Sequence, residues 1–112
     1  MLDKALDLLQ QLGFTANESK AYIALLEAQP SGAYDIGKRS GIPSSKIYET
    51  LNKLLRKGIV RLSDSNVADK PLYVALPPDA LTDQLNQQIK HRTQALLPLL
   101  STLKSSQEPD FI

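Results

Sequence analysis

Within one short stretch the sequence sets Ser44, Ser45, Lys46, Glu49 and Asn52: two hydroxyls, a cation, a carboxylate and an amide. At helical spacing these side chains share a face, while Ile47, Leu51, Leu54 and Leu55 turn to the other side. Groups of this kind read base edges in a DNA major groove. Lysine donates to guanine acceptors, glutamate accepts from the cytosine amino group, and asparagine pairs with adenine. Ser44 and Ser45, next to unpaired helix N–H groups, also suit a phosphate. Tyr48, Lys53 and Arg56 continue the outward face, and Lys38 and Arg39 precede it, as candidates for the sugar–phosphate backbone. Asn66 and Lys70, in the polar loop DSNVADK, are the remaining backbone candidates, with Asp64 and Asp69 opposing them. Plainer readings stand beside these. Glu49 and Lys53 are an i,i+4 pair that can neutralise itself, and serines after a proline are ordinary helix-start residues.

Such a face needs elements to hold it. Residues 31–62 read as two short helices joined by a turn at Gly41 and followed by a strand, the layout of a helix-turn-helix with a wing. The first helix runs from about Ala33 to Ser40 and buries Ile36. Gly37 falls where the two helices approach each other. The recognition helix covers about 44–57, with Pro43 at its start and Gly58 at its end. Upstream, Leu2, Leu6, Leu9 and Leu12 form a helical stripe ended by Gly13. Thr15 followed by Glu18 is a capping box opening a second helix, striped by Tyr22, Leu25 and Leu26. Downstream, Ile59 to Ser63 reads as a strand with Val60 and Leu62 on one side, and LYVAL as its return. The expected fold is mainly α with a small β-wing: a winged helix-turn-helix over residues 1–77, with its core drawn from residues 2–76. A long C-terminal helix over 78–105 and a frayed tail over 106–112 complete it.

Bulk properties restrict the function classes. The net charge of +1 hides a polarised chain, since residues 31–70 hold eight basic and four acidic side chains. There is no cysteine and a single histidine, His91, so thiolate and histidine-rich metal sites are excluded, and no cofactor is expected. No histidine–nucleophile pairing or phosphate-cradling glycine loop supports an enzyme. No apolar run approaches the length of a membrane span, and Asp3 and Asp7 interrupt what would be a signal sequence, so a cytoplasmic protein is expected.

The last helical segment repeats Leu85, Ile89, Arg92, Leu96, Leu99 and Leu103 at alternating four- and three-residue steps, the spacing of a helical seam. Pro98 should kink it or split off a short final helix. So long a stripe suits a second copy of the chain, and a homodimer interface is expected there. The alternative is a helix folded back on the first one.

The segments LGFTANESKAYIALLEAQP, KRSGIPSSKIYETLNKLLRKGIV and YVALPP together resemble the DNA-binding domain of TrmB-like winged-helix transcriptional regulators. The resemblance spans about residues 8–80, and a dimerising helix after the domain fits it too. It implies sequence-specific binding of double-stranded DNA as a homodimer. Longer members carry a C-terminal sugar-binding domain, outside the resemblance here, so no small-molecule effector is assigned. Against the family pattern, Asn17 and Gln29 read as unremarkable surface variants, Gly37 stands for the more usual alanine, and Leu72 and Val74 put apolar groups where charge is common. The rival reading is a winged-helix protein-interaction or assembly module that does not bind specific DNA.

Overall fold

The capping box at Thr15 forms and starts the helix against which the next two helices pack. Thr15 Oγ1 accepts from the Glu18 N–H at 3.0 Å, and Glu18 Oε1 accepts from the Thr15 N–H at 2.8 Å. The computed structural model describes residues 1–64 and 69–107. In chain order these hold α1 (Leu2–Gln11), α2 (Ala16–Glu27), α3 (Ala33–Ser40), α4 (Ser44–Lys57), β1 (Val60–Leu62), β2 (Tyr73–Ala75) and α5 (Pro78–Gln107). The chain divides into two compact units, Met1–Pro78 and Asp79–Ile112.

In the first unit α2, α3 and α4 enclose the core. Leu25, Ile36, Leu51 and Leu54 are fully buried, each worth roughly 1.5–3 kcal/mol of apolar transfer. Ile47 and Thr50 join them from α4, and Leu55 is only half-buried. Helix α3 ends at Gly41 (φ 78°) and α4 at Gly58 (φ 75°), left-handed caps that a side chain would strain. At Gly37 an added Cβ would lie 3.4 Å from the Ile42 carbonyl oxygen and 3.7 Å from Ile47 Cγ1, ordinary contact distances. The close approach expected there is real, yet a methyl group fits.

The wing is an antiparallel pair with Val60 opposite Ala75 and Leu62 opposite Tyr73. Its inner edge is closed by the α2–α3 connection. Ser31 and Tyr73 exchange both backbone hydrogen bonds, and the Gln29 side-chain oxygen accepts from the Ala75 N–H at 2.7 Å. Gln29 is therefore not an unremarkable surface residue, because its amide stands in for a strand carbonyl.

Two further expectations are corrected in this unit. No residue of α1 is buried, so its leucine stripe adds nothing fully enclosed to the core; α1 rests chiefly on α2, which covers only part of that stripe. Leu62 does not follow Val60 inward but is half-exposed, because its neighbours in a two-stranded sheet cover only one side.

The second unit is dominated by α5. At about 1.5 Å per residue a helix of its 30 residues reaches roughly 45 Å. Pro98 neither ends nor splits it. Ala95, Leu96 and Leu97 before Pro98 and Leu99 and Leu100 after it are strong helix formers and carry the helix past one missing N–H. Leu85 is half-buried, and Ile89, Arg92, Leu96, Leu99 and Leu103 are exposed. Leu100, also exposed, widens the stripe beside Leu96 and Leu103, and Leu97 lies off it.

Candidate nucleic-acid interface

Helix α4 is divided lengthwise by burial. Ile47, Thr50, Leu51 and Leu54 face the core, whereas Ser44, Ser45, Lys46, Tyr48, Glu49, Asn52 and Arg56 are exposed, and Lys53 is half-buried. The inner face must be apolar to anchor the helix, which leaves every polar group on the outer one. No side chain caps the first turn after Pro43, so its leading N–H groups are left to water or to an outside acceptor. Glu49 lies 3.8 Å from Lys46 Nζ and 3.8 Å from Lys53 Nζ. These are long, exposed pairs of small worth, which a phosphate or base can displace.

The opposite end of α4 is fixed by chemistry that the linear pattern does not reveal. Lys57 Nζ sits 2.9 Å from Glu18 Oε2 and donates to Oε1 at 3.0 Å, and it lies 5.3 Å from the centre of the Phe14 ring. Burial alone would raise the Glu18 pKa. The Thr15 N–H and Lys57 outweigh that and hold the carboxyl below its ordinary value of 4.5. Lys57 thus locks α4 to the start of α2, and its charge is matched inside the fold.

Arg39, expected at the DNA backbone, is also held within the fold: its Nη2 donates to the Ala28 carbonyl at 3.1 Å and to Ser31 Oγ at 3.0 Å. Lys38 is simply exposed. Arg39→Ala should therefore lower the melting temperature by more than the about 2–4 °C that a surface change of up to about 0.5 kcal/mol, such as Lys38→Ala, can cost a unit of this size. Thermal unfolding followed by circular dichroism checks this, and equal melting temperatures for both variants and the parent would remove Arg39 from the scaffold. Of the wing candidates, Lys70 is exposed and Asn66 lies outside the described residues.

Tyr34, absent from the sequence candidates, lies beside Tyr48 and Lys70, which are among them. Tyr34, in the first turn of α3, and Tyr48 of α4 are 77% and 59% exposed and line one open groove of about 640 Å³ with Pro30, Asp35, Lys70 and Pro71. Tyr34 carries no periodicity signal because it falls on the solvent side of a short helix. Buried Tyr73 lies nearby; burial pushes its phenol pKa above the ordinary 10.0, and Tyr48 adds to the rise. Among the described residues no cluster of His, Cys, Asp or Glu is suited to a metal ion, and no helix is long and apolar enough to cross a membrane.

The family model described as "Sugar-specific transcriptional regulator TrmB" matches residues 9–79. The uncharacterized protein YrhO of Bacillus subtilis (strain 168) is 46% identical over 81 residues, covering 72% of this chain and 28% of that protein. The HTH-type sugar sensing transcriptional regulator TrmBL1 of Pyrococcus furiosus is 36% identical over 87 residues, covering 78% of this chain and 25% of TrmBL1. The chain thus spans about a quarter of the length of these two relatives. Among solved structures, TrmBL2, described as an archaeal chromatin protein with a novel mode of DNA binding, superposes with a TM-score of 0.84 at 21% identity, over 94% of this chain and 40% of its own. A MarR-family regulator from Silicibacter pomeroyi gives 0.59 at 17% identity, over 99% of this chain and 85% of its own. Both likenesses establish the winged-helix fold.

Proposed function

This chain belongs to the TrmB family, and we propose that it is a cytoplasmic, sequence-specific regulator that binds double-stranded DNA as a homodimer. The observation that carries this reading is the lengthwise division of α4, whose exposed face holds Ser44, Ser45, Lys46, Glu49 and Asn52 around a buried anchor. In the proposed complex α4 lies in the major groove, with those five side chains at base edges. Lys38, Tyr48, Lys53, Arg56 and Lys70 contact the backbone. Arg39 contributes through the scaffold that orients α3. The exposed stripe of α5, Ile89, Leu96, Leu99 and Leu103 with Leu85 and Arg92, pairs with its counterpart in a second copy. No catalytic step is involved.

The test is selection of bound duplexes from a random pool. Enrichment should yield a two-fold-symmetric site with half-sites about 10 base pairs apart or a multiple of that. Inserting about five base pairs between them turns the half-sites to opposite faces and should abolish most of the affinity. Lys46→Ala should relax the preference at one position in each half-site. Binding with no enriched sequence would remove specificity; an enriched site without symmetry, unaffected by the insertion, would remove the dimeric mode.

A further inference from the structure

We infer that the groove lined by the start of α3, Tyr48 of α4 and the segment entering β2 seats one sugar–phosphate strand, with the Tyr34 and Tyr48 hydroxyls and the Lys70 ammonium as its phosphate ligands. The inference rests on the DNA reading above and extends it to a site and a residue, Tyr34, that the base-reading face does not include.

Two large aromatic side chains, 77% and 59% exposed, lie in the same groove. Tyrosine suits a surface that becomes covered, because its ring contributes apolar area and its hydroxyl requires a polar partner. The groove is open, as a strand passing through requires. Tyr48 belongs both to the groove and to the exposed face of α4, so a duplex with its bases against Lys46 and Glu49 brings backbone to the groove. Lys70 supplies the positive charge in the lining. Asp35, also in the lining, opposes a phosphate and makes the contact weaker than the geometry would otherwise allow.

These three kinds of group leave different signatures. A phenol donates without displacing a counterion, whereas a lysine on a phosphate releases about 0.9 of one. In the full chain, titrated with salt against a duplex it binds, Tyr34→Phe should weaken binding about 3- to 10-fold, equally for preferred and scrambled sequences. The slope of log affinity against log salt should not change. Lys70→Ala should weaken binding and make that slope shallower by about 0.9. Asp35→Asn should tighten binding at low salt. Ethylation of one backbone phosphate should impair binding of the parent and leave Tyr34→Ala no worse than before. A parent that binds duplex while Tyr34→Phe and Asp35→Asn match it in affinity and slope would overturn the groove assignment alone. So would a Tyr34→Phe loss confined to a single base-pair preference, and so would a small aromatic ligand occupying the groove without affecting DNA binding. A parent that binds no duplex would overturn the DNA reading itself, and the groove assignment with it.

Discussion

Leu96→Asp should convert the proposed dimer to a monomer at concentrations where the parent is fully paired. Leu96 is at the centre of the α5 stripe, with Leu100 one turn and Leu103 two turns further on and Ile89 two turns back, and it is 48% exposed in the single chain. Covering a large aliphatic side chain recovers on the order of 1.5–3 kcal/mol, and a two-fold seam contains each position twice. The substitution removes that gain from both copies. It also brings two carboxylates together in an apolar seam, which adds a desolvation cost to their repulsion. Since about 1.4 kcal/mol is a factor of ten, the dissociation constant should rise by about a hundredfold or more. The first unit should remain folded, because its enclosed residues, Leu25, Ile36, Leu51 and Leu54, belong to α2, α3 and α4. Sedimentation mass together with circular dichroism checks both halves. A parent that sediments as a monomer at tens of micromolar, a weak-complex range, or a dimeric variant, would eliminate the α5 seam.

The second large effect is expected at the buried ion pair. Lys57→Met should destabilise the first unit by about 2–3 kcal/mol at neutral pH, less than the 3–5 kcal/mol of a wholly buried pair because the Lys57 side chain is 43% exposed. Its partner cannot move to water: the Glu18 side chain is 1% exposed and would retain only the Thr15 N–H. Glu18→Gln added to Lys57→Met should restore part of the loss, because a neutral amide needs no counter-charge. The pH dependence follows from the sign of the shift. Glu18 has a folded-state pKa depressed below 4.5, so its contribution is complete above about that pH and disappears as pH falls through the folded value. The gap between parent and Lys57→Met should therefore be full at pH 7 and close in the acid range below 4.5. Urea unfolding of both proteins across that range measures it. A gap independent of pH would mean that Lys57 acts through its packing on Phe14 and not through its charge.

How far the sequence could be read depended on the range of each interaction. Local rules were sufficient for the Thr15–Glu18 box, the left-handed glycines 41 and 58, and the inner face of α4, because a few neighbouring residues determine each of them. Helical periodicity identified the apolar side of α1, yet it cannot say how much neighbouring surface exists to cover that side, and no residue there is buried. Pairing across the fold left no periodic trace. Lys57 with Glu18, Arg39 with Ala28, and Gln29 with Ala75 are side-chain choices that only the assembled helices bring together. This is why Lys57, counted from sequence as part of a basic stretch, proves to be matched internally. It is also why Gln29 read as surface variation. The base-edge candidates were legible as a face, since a helix with a known buried side has a known exposed one; the partner of each residue on that face is a property of the complex.

The closure of β2 by Ser31 and Gln29 bears on how this protein resists self-association through its backbone. A two-stranded ribbon ordinarily offers two open edges, each a template for strand addition by another molecule. Here Tyr73 already exchanges its hydrogen bonds with Ser31, and the Ala75 N–H is taken by Gln29, so on that side no ladder is left to extend. The other edge belongs to β1, a strand of three residues with exposed Arg61 at its middle. A short edge with a charge at its centre is poorly suited to accept a neighbour. Association can then be confined to side-chain surfaces chosen for it, leaving the wing's backbone inert.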